Sequence, residues 1–186
     1  MAKNRAVKRT PGAPAGEPSP GPAEPVADGD ATEPVRWLGE EELQAWMALA
    51  AMLTKLPAAL DRQLQRDAGL THYEYRVMIG LSRVPERTLR MSELAEFTAS
   101  QLPRLSQVAT RMERRGWLAR HPDPTDGRST LVGLTDAGMA KLEVSAPGHV
   151  AAVRRLVFDS ISATQVRQVA QIAKRITQAA DSPEFR

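Results

Sequence analysis

The sequence predicts a mainly α-helical chain carrying one small β-ribbon, and three observations predict it. Apolar residues recur every three or four positions along most of the chain from Glu40 onward. Two short helical patterns, "SELAEF" and "LPRLSQVATRMERRG", follow one another across a tight link. Directly after them, "WLARH" and "STLVGL" read as strands joined by "PDPTDGR". Helix, tight link, helix and then a ribbon is the element order of a winged helix-turn-helix.

Each element has a local reason. Residues 1–34 hold seven prolines among glycine and alanine, too little apolar surface to offset the entropy of ordering, so a disordered tail is expected there. Its basic start (Lys3, Arg5, Lys8, Arg9) reads either as a loose nucleic-acid arm or as a solubilising tail. From Glu40, the residues Leu43, Trp46, Met47, Ala50, Leu53, Leu60 and Leu64 form one stripe on a long helix, which Pro57 should kink. Thr71 with Glu74 forms a capping box for a second helix, and "ERTLRM" is short and extended. Ser92 is expected to cap "SELAEF". Pro103 fits the first turn of the next helix and Gly116 its end. Asp126-Gly127 is the expected hairpin tip, both residues accepting positive φ, with Arg128 projecting beyond it. Thr135 caps a helix running to about Val157, bent at Pro147-Gly148. Ser162 and Gln165 box the last one. The expected division is a tail at 1–34, the N-terminal helix of a dimerisation region at 35–70, a winged helix-turn-helix DNA-binding domain at 71–134 and C-terminal dimerisation helices at 135–186.

Composition narrows the function. There is no cysteine, which excludes a thiol nucleophile, disulfides, zinc-cysteine sites and thiol redox sensing. No uninterrupted apolar run of membrane-spanning length is read from the sequence, because Lys55 and Pro57 break the best one, and the basic N-terminus leads into no apolar segment. The expectation is a cytoplasmic, nucleoid-associated protein with no membrane partner. The three histidines (His72, His121, His149) lie far apart, with no paired carboxylates and no phosphate-cradling glycine loop, so no enzyme, metal or cofactor is expected. His121, Asp123 and Asp126 read more simply as a proline-punctuated turn than as metal ligands.

The net charge of +3 is uneven: four basic and five acidic residues precede Val35, leaving +4 on the rest. Arginine outnumbers lysine 20 to 5, and Arg104, Arg111, Arg114, Arg115 and Arg120 cluster against Glu113 alone. Charge alone suits a solvated face equally well; the element order decides for DNA. In the second short helix Leu105, Val108, Ala109 and Met112 make the inward stripe, leaving Pro103, Arg104, Ser106, Gln107, Thr110 and Arg111 to face a major groove. Arginine and glutamine can read guanine and adenine edges bidentately, while serine and threonine suit phosphates or close base contacts. Arg114, Arg115 and Arg120, further from the helix start, are placed for phosphates. On the wing, Arg128 fits a narrow minor groove, with Asp126 holding that arginine or a neighbour, and Ser129 beside them.

These same residues resemble the MarR (multiple antibiotic resistance regulator) family of bacterial transcription regulators. "MSELAEFTASQLPRLSQVATRMERRGWL" followed by "DGRSTLVGLTDAG" carries the resemblance. The family's wing signature falls on Asp126, Arg128, Ser129, Leu134, Thr135 and Gly138. The end of its recognition helix falls on Met112, Glu113, Arg115 and Gly116. "GLTHYEY" is similar to a further family segment, with Glu74 where glutamine is common. The similarity runs from about Trp37 to the C-terminus. Pro103-Arg104 departs from the small polar residues usual there, which bears on operator sequence and not on DNA binding.

The resemblance implies a homodimer on a palindromic double-stranded operator, a repressor released by a small, often aromatic or phenolic, effector. Trp46, His72, Tyr73, Tyr75 and Arg76 are the candidates to line an effector crevice. A dimer is also indicated by the residues themselves. Leu43, Val150, Val153, Leu156, Val166, Val169, Ile172 and Ile176 form apolar faces outside the small wing domain. The competing reading is a winged helix used for protein contact, without specific DNA or ligand binding.

Overall fold

In the computed structural model, residues 35–185 are described; the expected tail at 1–34 lies outside them. Six α-helices and three strands follow one another among the described residues: α1 (Glu40–Ala68), α2 (His72–Ser82), β1 (Thr88–Arg90), α3 (Met91–Phe97), α4 (Leu102–Arg114), β2 (Leu118–Asp123), β3 (Asp126–Leu134), α5 (Asp136–Val153) and α6 (Ala163–Ala180). A π-helical turn, Arg154–Phe158, extends α5.

Helix starts follow the capping chemistry read from the sequence, with one exception. The Thr71 hydroxyl accepts from the Glu74 amide while the Glu74 carboxylate accepts from the Thr71 amide at 2.8 Å. Thr135 accepts from Gly138 N, and Ser162 with Gln165 repeats the reciprocal box. The exception is α3, which starts one residue before Ser92. Glu93 caps it by accepting from the Arg90 amide at 2.9 Å, and Ser92 is exposed inside the first turn. Pro57 sits within α1 without ending it. Gly116 closes α4 at φ +73°, a left-handed conformation that strains side-chain-bearing residues.

The ribbon is three-stranded, not two-stranded. β3 lies between β1 and β2 with both pairings antiparallel, and β1 joins through Thr88↔Gly133 to Arg90↔Leu131. This sheet and helices α2, α3 and α4 enclose the core: Val77, Met78 and Leu81 from α2, Leu94 from α3, Leu105, Val108, Ala109 and Met112 from α4, and Leu118, Val132 and Leu134 from the strands. Leu64 of α1, Leu70 and Leu142 of α5 complete it, so the core extends past the 71–134 boundary. Full burial of each large side chain contributes about 1.5–3 kcal/mol, enough to fix the roll of α4.

Away from this core, α5 packs along α1, and α6 buries none of its residues. Leu43, Trp46, Met47 and Leu53 of α1, Val150 and Leu156 near the end of α5, and Val169, Ile172 and Ile176 of α6 are all exposed. Val153 and Val166 are half-buried.

Candidate nucleic-acid interface

The inward stripe of α4 is buried as its spacing requires, and this turns its other side outward. Pro103, Arg104, Gln107 and Arg111 are exposed, with Ser106 and Thr110 half-buried at the edge. Several of these side chains already have partners. The Thr110 hydroxyl donates to the Ser106 carbonyl at 2.9 Å and accepts from Arg120 Nη2 at 3.1 Å. Arg111 Nε lies 4.0 Å from the buried Glu74 carboxylate. The Arg104 guanidinium lies over the Tyr73 ring, 5.2 Å from its centroid.

The three arginines expected on phosphates differ. Arg114 is exposed and in no ion pair among the described residues. Arg115 is exposed but tethered, donating to the Gly69 carbonyl at 3.1 Å and lying over the Trp117 ring at 4.9 Å. Arg120 is turned inward: Nη2 and Nε meet Glu113 Oε2 at 2.7 and 3.1 Å, tying β2 to the end of α4. Those hydrogen bonds hold the Glu113 carboxyl below its usual range. As placed, Arg120 braces α4 and has little left for a phosphate.

The wing tip is two residues earlier than the sequence suggests. Asp123 pairs with Asp126, so the tip is Pro124-Thr125, and neither Asp126 nor Gly127 has positive φ. Pro124 takes the second turn position, where its fixed φ fits, and Asp123 Oδ1 accepts from Thr125 N and Oγ1 at 2.8 and 2.6 Å. The register then jumps, because Pro122 pairs with Thr130 while Asp123 pairs with Asp126. Gly127, Arg128 and Ser129 therefore bulge out of the ladder, a device that re-aims side chains. Asp126 holds this bulge by its backbone and hydroxyl, accepting from Arg128 N at 3.1 Å and Ser129 Oγ at 2.7 Å. Those bonds, that to Ser129 foremost, keep its carboxyl below the usual range. Asp126 makes no ion pair with an arginine among the described residues, which corrects the expectation that it restrains a guanidinium.

That work is done by a pair the sequence reading missed. Asp123, 5% exposed, accepts from Arg90 Nε and Nη2, both at 2.9 Å, so the wing tip is fastened to the start of α3. The Thr125 bonds and then Arg90 hold its carboxyl below the usual range. The two residues are 33 positions apart, and no local pattern announces them. The Arg128 guanidinium, by contrast, is exposed and unpaired among the described residues. Arg128, Ser129 and Arg90 line a groove of about 270 Å³ together with Leu102 and Ser106 of α4.

The five candidate effector residues are dispersed among the described residues. Trp46 stands on the exposed face of α1, and Arg76 is exposed on α2. Tyr75 is buried against His149, with ring centroids 4.4 Å apart, and His72 lies 5.7 Å from the same ring. Tyr73 lines a cavity of about 300 Å³ with Asp61, Thr71, Arg104, Gln107 and Arg111. Burial holds both histidines below their usual pKa, aided by Arg76 at His72 and by His72 at His149.

By length and mean hydropathy (1.3 over eighteen residues), α1 is apolar enough to cross a membrane, a match the broken apolar run had not suggested. Yet Leu60 and Leu64 at its C-terminal end are buried, Leu64 within the core.

A family model described as MarR family matches residues 68–129. Among solved structures, the chain is similar to Sco3205, a MarR family transcriptional regulator from Streptomyces coelicolor in complex with DNA. The two are 39% identical with a TM-score of 0.78, over 82% of this chain and 95% of that one. AbsC, a MarR family transcriptional regulator from the same organism, is 32% identical with a TM-score of 0.73, over 78% and 97%. The HTH-type transcriptional repressor MdtR of Bacillus subtilis is 25% identical over 138 residues, 74% of this chain and 86% of the relative.

Proposed function

This chain belongs to the MarR family of transcriptional regulators, and from that premise we propose that it is a cytoplasmic, nucleoid-associated homodimer that represses transcription from a palindromic operator. It is a regulator and not an enzyme. The observation that carries DNA binding is the shared groove: the free guanidinium of Arg128 and the exposed edge of α4 open on the same side. In this reading Arg104 and Gln107 meet base edges, Pro103, Ser106, Thr110 and Arg111 meet the groove wall, Arg114 meets phosphate, and Arg128 with Ser129 approaches the flanking minor groove. The similarity to a regulator solved in complex with DNA supports the same reading.

The dimerisation region comprises residues 35–70 and 135–186, flanking a DNA-binding domain at 71–134. The exposed apolar residues of α1 and α6 support this, because a single chain leaves them in water. A two-fold dimer sets two recognition helices about one DNA turn apart. A small aromatic or phenolic effector releases the operator. The cavity beside Tyr73 supports that step, because its walls include Arg104, Gln107 and Arg111, and a ligand there touches the reading helix directly.

The test is a nuclease footprint of the purified protein on promoters neighbouring its gene. An inverted repeat protected at both half-sites, and released by an aromatic carboxylate or phenol, is expected. Uniform protection without a boundary contradicts the reading.

A further inference from the structure

Arg104, at the exposed start of α4, does not hang free. Its guanidinium lies 5.2 Å from the centroid of the Tyr73 ring, within the range of a cation–π contact. Tyr73 is itself held firmly. It is half-buried against the core, and its hydroxyl lies 3.2 Å from Thr98 Oγ1. Thr98 is buried and donates to the Leu94 carbonyl at 2.8 Å, so the ring is braced from the end of α3. A guanidinium resting on an aromatic face keeps its N–H donors in its own plane, where they remain free to meet a base edge. A free arginine must lose substantial rotamer freedom when it docks. One already stacked has lost part of it.

We propose that Tyr73 is a positioning residue for operator recognition: its ring is the platform that preorganises Arg104 for bidentate readout of a guanine. The proposal rests on the reading of α4 as the recognition helix, and it gives Tyr73 a second role beside lining the cavity it shares with Arg104. Arg104 is then the strongest base-specific contact of the helix, and its selectivity depends on a residue that touches no DNA.

The experiment uses the full chain and a duplex selected from random sequence. Kd is measured by fluorescence anisotropy for that duplex and for the version in which the base pair no longer discriminated by Arg104→Ala is swapped. Tyr73→Leu should lower the discrimination ratio about two- to five-fold, the strength of an exposed cation–π contact. Tyr73→Phe should keep it. In the Arg104→Ala background, where that ratio is already lost, Tyr73→Leu should leave the Kd for the selected duplex unchanged. An equal rise of that Kd in both backgrounds would mark a merely structural Tyr73 and overturn the proposal, as would full discrimination in a folded Tyr73→Leu protein. If Tyr73→Leu does not fold, NMR of the wild-type chain decides: ring-current-shifted Arg104 side-chain resonances support the stack, and unshifted ones overturn it. A wild-type chain that selects no duplex overturns both the platform and the reading beneath it.

Discussion

Replacing Arg128 with alanine separates DNA contact from folding more cleanly than any other substitution on the wing. The side chain is exposed and makes no ion pair among the described residues, and the hydrogen bond from its backbone amide to Asp126 is one that alanine retains. The bulge therefore persists in Arg128→Ala, and stability should change by less than about 0.5 kcal/mol. For a protein of this size that is a Tm shift of about 1–2 °C. Binding should respond quite differently. A guanidinium in a groove of negative potential is worth about 1–3 kcal/mol, so each lost wing should weaken operator binding about 5- to 150-fold. The slope of log K against log salt should also fall by about 0.9 for each cationic contact removed. Anisotropy titrations at three salt concentrations, paired with thermal melts, measure both quantities. Unchanged affinity with an unchanged salt slope would refute the wing assignment. A large fall in Tm would refute the claim that the bulge stands without this side chain.

Three further outcomes are expected. Gly138→Ala drives a Cβ into the Trp117 carbonyl oxygen, where backbone has to move, so urea unfolding should show a loss of about 1–3 kcal/mol; an unchanged midpoint would contradict the close approach of α5 to the end of α4. His72 and His149 resist protonation when folded, so their contribution is complete above about pH 6.5 and is lost as pH falls below it. Melts at pH 7.5 and 5.5 should differ, and His149→Gln should narrow the difference; the lowered carboxylates Asp67, Asp123 and Asp126 lose theirs only below about pH 4. Ile172→Glu with Ile176→Glu should yield a monomer by sedimentation, and a persistent dimer would move the interface off α6.

Sequence legibility followed the range of the interaction. Thr71 with Glu74, Thr135, and Ser162 with Gln165 cap helices within four residues, and each stands where the sequence puts it. The buried stripe of Leu105, Val108, Ala109 and Met112 was legible for the same reason, since 3.6-residue periodicity is local. The wing was legible in place but not in detail. Asp-Gly is a strong turn signal, yet Pro124 with the Thr125 bonds of Asp123 forms a competing turn two residues earlier, and Arg90 secures it from another element. The inward turn of Arg120 depends on Glu113, seven residues away across the end of α4. Arginine-rich composition indicates groove chemistry but does not say which guanidinium groups the fold itself consumes.

The most direct test of the central claim is selection of duplexes by the full chain from a random-sequence pool, followed by sequencing. Two inverted half-sites with centres about one helical turn apart are expected. At one position within them, the preference should collapse in Arg104→Ala and survive in Arg128→Ala. A pool that remains random after repeated rounds would contradict sequence-specific DNA recognition by α4 and the wing.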